Sequence, residues 1–223
     1  FKTRLHRVVI NDLNTDLIHF WYTARDDNAA LAQAVESYRH QYAERGRDLY
    51  QLLADQERFS TPFERAVRFF IGNRITFSGV TDAGGYSQQA FDSRFTASSI
   101  ERLRSLAGVL ERVEIFNEDY ETIVRLPPEG ETVFIFLDPP YYTATRSKLY
   151  GKGGELHTTF DHDRFARIMH GINHHWLITY DDSAHIRRLF QYANIQEWEL
   201  QYGMNNINGR SAAKGHELFI SNR

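Results

Sequence analysis

The sequence predicts an α/β protein built on a mostly parallel sheet. Three observations carry that prediction. Strand-length apolar runs alternate with amphipathic helical runs through the second half. The run "TVFIFLDPPYY" has almost no polar alternation, as expected of a strand buried on both faces. The last two strand-like runs follow one another with no helix between them, which predicts a closing antiparallel hairpin.

In chain order, "RVVIND" reads as a short buried strand ending in Asp12. "TDLIHFWYTARDD" spaces Leu17, Ile18, Trp21 and Tyr22 as one helical face, with Thr15 or Asn14 as N-cap. Polar helical sequence follows from about Asn28 to Gln56, and "TPFERAVRFFIGNR" starts another helix at Thr61 with Pro62 in its first position. "ITFSGVTDAGGYSQQAF" reads as a loop or irregular hairpin. "SSIERLRSLAGVLER" is an amphipathic helix capped by Ser98 or Ser99. Beyond it lie the strand "VEIFNEDY", the segment "ETIVRL" and the linker "PPEGE". After "TVFIFLDPPYY" and a Gly/Lys-rich loop come the helix "FDHDRFARIMHGI", the strand "HHWLITYDD", the helix "SAHIRRLFQYA" and the strands "IQEWELQY" and "HELFISN".

The first strand ends at Asp12 and the next clear one starts near Val113. A crossover needs roughly a dozen residues. The excess predicts an inserted, mainly helical subdomain over 25–104, leaving 1–24 and 105–223 to the sheet domain.

Bulk properties narrow the function. A net charge of -3 gives no polycation signal, so nucleic acid would have to meet a local basic patch. The absence of cysteine excludes disulfides, thiolate zinc sites and cysteine nucleophiles, and fits a reducing cytoplasm. No apolar run is long enough to span a bilayer. The histidines do not fall at ligand spacing with matched acids, so no metal site is expected.

In open α/β sheets ligands sit at the carboxyl ends of strands. Asp12 ends the first strand, Asn117 and Asp119 follow the second, and Asp138 ends the third. Asp12 suits a pair of ribose hydroxyls, or else only caps the next helix; Asp119 is alternatively a turn residue. Asp138 leads into Pro139, Pro140 and Tyr141. Two prolines stiffen the backbone and free their carbonyls of amide competitors. One carboxylate oxygen and one carbonyl can then accept both hydrogens of a planar amino group, with Tyr141 stacked on the ring that bears it.

"LDPPYY" in this setting resembles motif IV of the amino-group DNA methyltransferases. "INDLNTDLIHFW", "RFFIGNRITFSG", "IFNEDYETI" and "GHELFISN" resemble, in order, further segments of the Dam-like (alpha-class) adenine methyltransferases. The resemblance implies a Rossmann-like S-adenosylmethionine-dependent methyltransferase sheet with a C-terminal hairpin, and a target-recognition domain at 25–104. It implies methyl transfer to adenine N6 in double-stranded DNA, S-adenosylhomocysteine as product, and a flipped base held by Asp138, Pro139, Pro140 and Tyr141. Asp12, Asp119, Tyr120 and Asp138 would meet the cofactor, and Tyr142 would wall the pocket. Arg74, Ser78, Tyr86, Gln88, Gln89, Arg94, Arg146, Lys148 and Lys152 would contact DNA.

It further implies a cytoplasmic monomer of bacterial, archaeal or phage origin. The family's first strand ends in Phe-x-Gly-x-Gly, which these 223 residues lack, so a segment bearing it is expected before Phe1. The competing functions are an amino-group cytosine methyltransferase, a DNA-binding remnant without catalysis, and a Rossmann-like enzyme acting on a small metabolite.

Overall fold

The computed structural model describes residues 7–79, 84–130, 132–142, 159–201 and 214–223. They form a mixed α/β architecture that falls into two units, one ending at Ile123 and the other starting at Val124.

In the first unit, strand β1 (Val8–Asn11) pairs in parallel with β2 (Val113–Phe116), Ile10 opposite Ile115. Helix α1 (Thr15–Asp26) starts at Asn14, whose side chain accepts from the amides of Asp16 and Leu17. It is tied to β2 by the Tyr22 hydroxyl, which donates to the Ile115 carbonyl at 2.6 Å, and by Arg25, which donates to the Val113 carbonyl at 3.0 Å. The predicted helical stretch after it is two helices, α2 (Asn28–Gln41) and α3 (Gly46–Ala54). Asn28 is buried and donates to the carbonyls of Ala24 and Leu103.

Helix α4 (Pro62–Ile75) begins as expected, with Pro62 at its first position and a capping box between Thr61 and Glu64. Its apolar face packs on α1, where Phe20 meets Phe69 and Phe70 at 5.9 Å. Asp16 links the two helices from the other side, accepting from Arg65 Nε at 2.6 Å and from the buried Arg68 at 3.0 Å. One hydrophobic core runs through all of these elements, from Ile18 and Leu31 to Val113 and Ile115.

Two local readings differ. The segment read as a loop or irregular hairpin does close on an antiparallel bridge between Thr76 and Tyr86, but its last residues open helix α5 (Gln88–Arg94), capped by Ser87. Helix α6 (Ala97–Arg104) is capped by Thr96 rather than Ser98 or Ser99; Ser99 is the reciprocal partner three residues in. Both helices are short and polar, so their caps carry more signal than their periodicity. A turn, α7 (Ala107–Leu110), precedes β2, and α8 (Tyr120–Val124) follows it.

In the second unit the strand order is β3 (Phe134–Leu137), β4 (His175–Asp181), β6 (Lys214–Ser221), β5 (Asn194–Gln201). β3 runs parallel to β4; β6 runs antiparallel to both β4 and β5. Helices α9 (His162–His170) and α10 (Ala184–Leu189) supply Phe165, Met169 and Ile186 to a core with Trp176, Ile178, Tyr180, Phe190, Leu218 and Ile220. β3 is not buried on both faces: Phe134 and Phe136 are 64% and 59% exposed. Among the described residues β3 pairs only with β4, and its side chains alternate between half-buried and open.

Candidate active site

The carboxyl ends of β1 and β2 are stitched together by asparagines. Asn11 exchanges two hydrogen bonds with the backbone of Glu118, both 2.9 Å, and Asn117 donates to the Asp12 carbonyl at 2.8 Å. Thr15 donates to Asn117 Oδ1. This network fixes the backbone of Asp12. Its carboxylate accepts from the Asn14 amide at 2.7 Å through Oδ1, and no described residue donates to Oδ2. Burial pushes the Asp12 carboxyl above the ordinary aspartate range, partly offset by that amide. Asp119 accepts from the Glu121 amide at 2.8 Å and so starts α8, the turn role read as its alternative. Tyr120 is half-buried.

At the end of β3, Asp138 is exposed while Pro139 is buried and Pro140 and Tyr141 are half-buried. The Thr179 hydroxyl donates to Asp138 Oδ1 at 2.5 Å. Two residues further along β4, Asp181 accepts from the Tyr142 amide at 2.6 Å. The Tyr141 ring lies 6.3 Å from Tyr180. Tyr142 stacks on His185 at 4.4 Å and meets His162 edge-on at 5.3 Å. His162 is buried, shares a 2.7 Å hydrogen bond with the Tyr180 hydroxyl, and is pushed below the ordinary histidine range by burial. Sequence reasoning missed Thr179 and Asp181. Their only signal was polarity at alternate positions in a strand that otherwise reads as core.

The residues expected to read DNA fall around the end of α4. Tyr86 donates to Gln88 at 2.6 Å, and Gln88 donates on to Asp92 at 2.9 Å. The Tyr86 ring packs near Tyr50 and Phe91, with the Arg47 guanidinium 5.5 Å from its centre. Beneath it lies Gly46, where a Cβ would come within 2.7 Å of Phe91. Gln89 is exposed. Arg94 donates to the Thr76 carbonyl. Arg74 is half-buried, lies over Phe70, and has a buried Nε with no hydrogen-bond partner. Burial, then the neighbouring Arg102 and Arg94, pull its guanidinium below the ordinary arginine value. Arg102 joins this cluster without having been anticipated. No described acid pairs with any of the three. The backbone of Ser78 lies in the turn Phe77–Gly79, where Gly79 takes a φ of 75° that favours glycine. Arg146, Lys148 and Lys152 lie outside the described residues.

Fold and corner together define a class: an α/β protein that carries an acid, two prolines and a tyrosine off the end of a strand. The particular family follows from comparison. The chain belongs to the D12 class N6 adenine-specific DNA methyltransferases, whose family model matches residues 1–204. It is similar to the Type II methyltransferase M1.LlaDCHI of Lactococcus lactis subsp. cremoris, at 22% identity over 202 residues, or 86% of this chain. It is also similar to the DNA N-6-adenine-methyltransferase of Escherichia phage P1, at 25% identity over 136 residues, or 60% of this chain. The matched stretches cover 62% and 18% of those relatives' own lengths. No helix among the described residues is long and apolar enough to cross a membrane.

Proposed function

We propose that the protein transfers a methyl group from S-adenosylmethionine to the exocyclic N6 of adenine in double-stranded DNA, with the target base flipped out of the helix. The observation that carries this reading is the Asp138 corner. An exposed carboxylate with one oxygen tied to Thr179 keeps its other oxygen for an amine. The two prolines following it have no amide to compete for that oxygen.

In this reading Asp138 and a proline carbonyl accept the two amino hydrogens of the base. Adenine's amine is planar because its lone pair is delocalised into the ring. Accepting both protons favours the tetrahedral, positively charging nitrogen of the transition state, so the protein needs no nucleophile of its own. Tyr141 stacks on the base, and Tyr142, backed by His185, walls the pocket. The cofactor supplies a methyl group made electrophilic by its attachment to a sulfonium. Asp12 would hold its ribose, and Asp119 or Tyr120 would face its adenine. The strands and helices then read as a Rossmann-like methyltransferase sheet with a terminal hairpin, and 25–104 as the inserted target-recognition domain. There, Arg74, Arg94 and Arg102 offer unneutralised charge to phosphates despite the acidic net charge.

The test is methyl transfer to duplex oligonucleotides in which either adenine or cytosine is the sole candidate base. Transfer to adenine alone is expected. Asp138→Ala should lower kcat at least about a hundredfold while S-adenosylmethionine still binds in calorimetry. A variant working at near-normal rate would sink the assignment.

A further inference from the structure

We infer that Thr179 is a positioning residue for the amine-holding carboxylate of Asp138, and that Asp181 fixes the other end of the same turn. The inference rests on the functional reading above and deepens it. Thr179 and Asp181 are 9% and 8% exposed, on a strand whose neighbouring members Ile178 and Tyr180 are wholly buried. A buried hydroxyl or carboxylate costs free energy unless it is hydrogen-bonded. Both make a bond to the corner: Thr179 Oγ1 donates to Asp138 Oδ1 at 2.5 Å, and Asp181 Oδ1 accepts from the Tyr142 amide at 2.6 Å.

The strand ladder explains the placement. Leu137 pairs with Ile178, so the chain leaves β3 with Asp138 beside Thr179. Of the three residues between Asp138 and Tyr142, Pro139 and Pro140 have no N–H with which to anchor the turn. The turn is therefore gripped at its two ends by residues i and i+2 of β4. A hydroxyl on Oδ1 stops the carboxylate from rotating and leaves Oδ2, to which no described residue donates, for the incoming N–H. The β-branched threonine is stiff about χ1, so its hydroxyl is held in place before substrate arrives.

Thr179→Val keeps shape and removes the donor; Thr179→Ser keeps the donor. In the full-length protein, Thr179→Val should lower kcat by roughly 10- to 100-fold, the equivalent of losing one charge-assisted hydrogen bond. The S-adenosylmethionine Kd and the melting temperature should stay close to wild type. Thr179→Ser should recover kcat to within about threefold. Binding supplies a readout independent of transfer. With S-adenosylhomocysteine present, wild type should prefer DNA bearing adenine at the methylated position over DNA bearing purine, which lacks the amine, and Thr179→Val should lose that preference.

An active wild type whose Thr179→Val variant keeps kcat within about twofold overturns this inference alone. So does a variant that loses stability and kcat together and is not rescued by serine. A wild-type protein that transfers no methyl group to adenine overturns the functional reading, and this inference with it.

Discussion

Asp12, proposed to hold the cofactor's ribose, would serve binding at the expense of the fold. Burial raises its carboxyl pKa, so the folded state holds the acid's proton more tightly than the unfolded chain does. The contribution to stability is complete below the unfolded aspartate value and is lost as pH rises through the folded one. Once ionised, Asp12 therefore weakens the fold. Asp12→Asn can still accept from the Asn14 amide. It should raise the unfolding midpoint at pH 7 relative to wild type, with the difference vanishing under acid conditions, as read by urea titration at several pH values. The same change should weaken S-adenosylmethionine binding roughly tenfold, because a neutral amide is a poorer acceptor for ribose hydroxyls. Greater stability with unchanged affinity would remove Asp12 from the cofactor site. The places of Asp12 and Asp138 at strand ends were legible, because each closes a strand-like run. Thr179 was not, since its bond to Asp138 spans 41 positions and depends on a strand register that no local pattern encodes.

Among the elements, the joint between α1 and α4 makes the clearest prediction. Asp16 accepts from Arg65 and Arg68, and Arg68 is buried, its Nε spent on the Leu53 carbonyl at 2.9 Å. Removing the acid takes one charged partner from the buried Arg68 and one from Arg65. Asp16→Ala should cost about 1.5–3 kcal/mol, the loss of these charge-assisted hydrogen bonds, measured by chemical denaturation. Thr61→Ala, which breaks only a solvent-side capping box, should cost about 1 kcal/mol. The start of α4 could be read from Thr61 and Pro62. The start of α5 could not, because seven mostly polar residues set no helical period and only the Ser87 cap marks them. The error at β3 is also physical. An unbroken apolar run indicates what a strand is able to bury, whereas exposure depends on which neighbours cover it.

On the scale of the whole molecule, charge is arranged against the average. A chain of net charge -3 gathers Arg74, Arg94 and Arg102 where no described acid neutralises them. Replacing Arg74 and Arg102 with alanine should weaken DNA binding across sequences and flatten the slope of log affinity against log salt by about one for each arginine removed, with the loss appearing in KM. A salt slope that does not change would place the DNA-contacting surface elsewhere. The α/β class was visible from alternating periods alone. The pairing of β1 with β2 across the helical segment, and the order β3-β4-β6-β5, were not, because strand partners are chosen by tertiary packing.

The glycine beneath Tyr86 sets a condition on redesign. A Cβ at position 46 would meet the Tyr86 hydroxyl and, at 2.7 Å, Phe91, so any side chain there demands smaller residues at both positions. The first turn of α3 and the side chains at 86 and 91 are thus matched in size, and one cannot be enlarged without trimming the other.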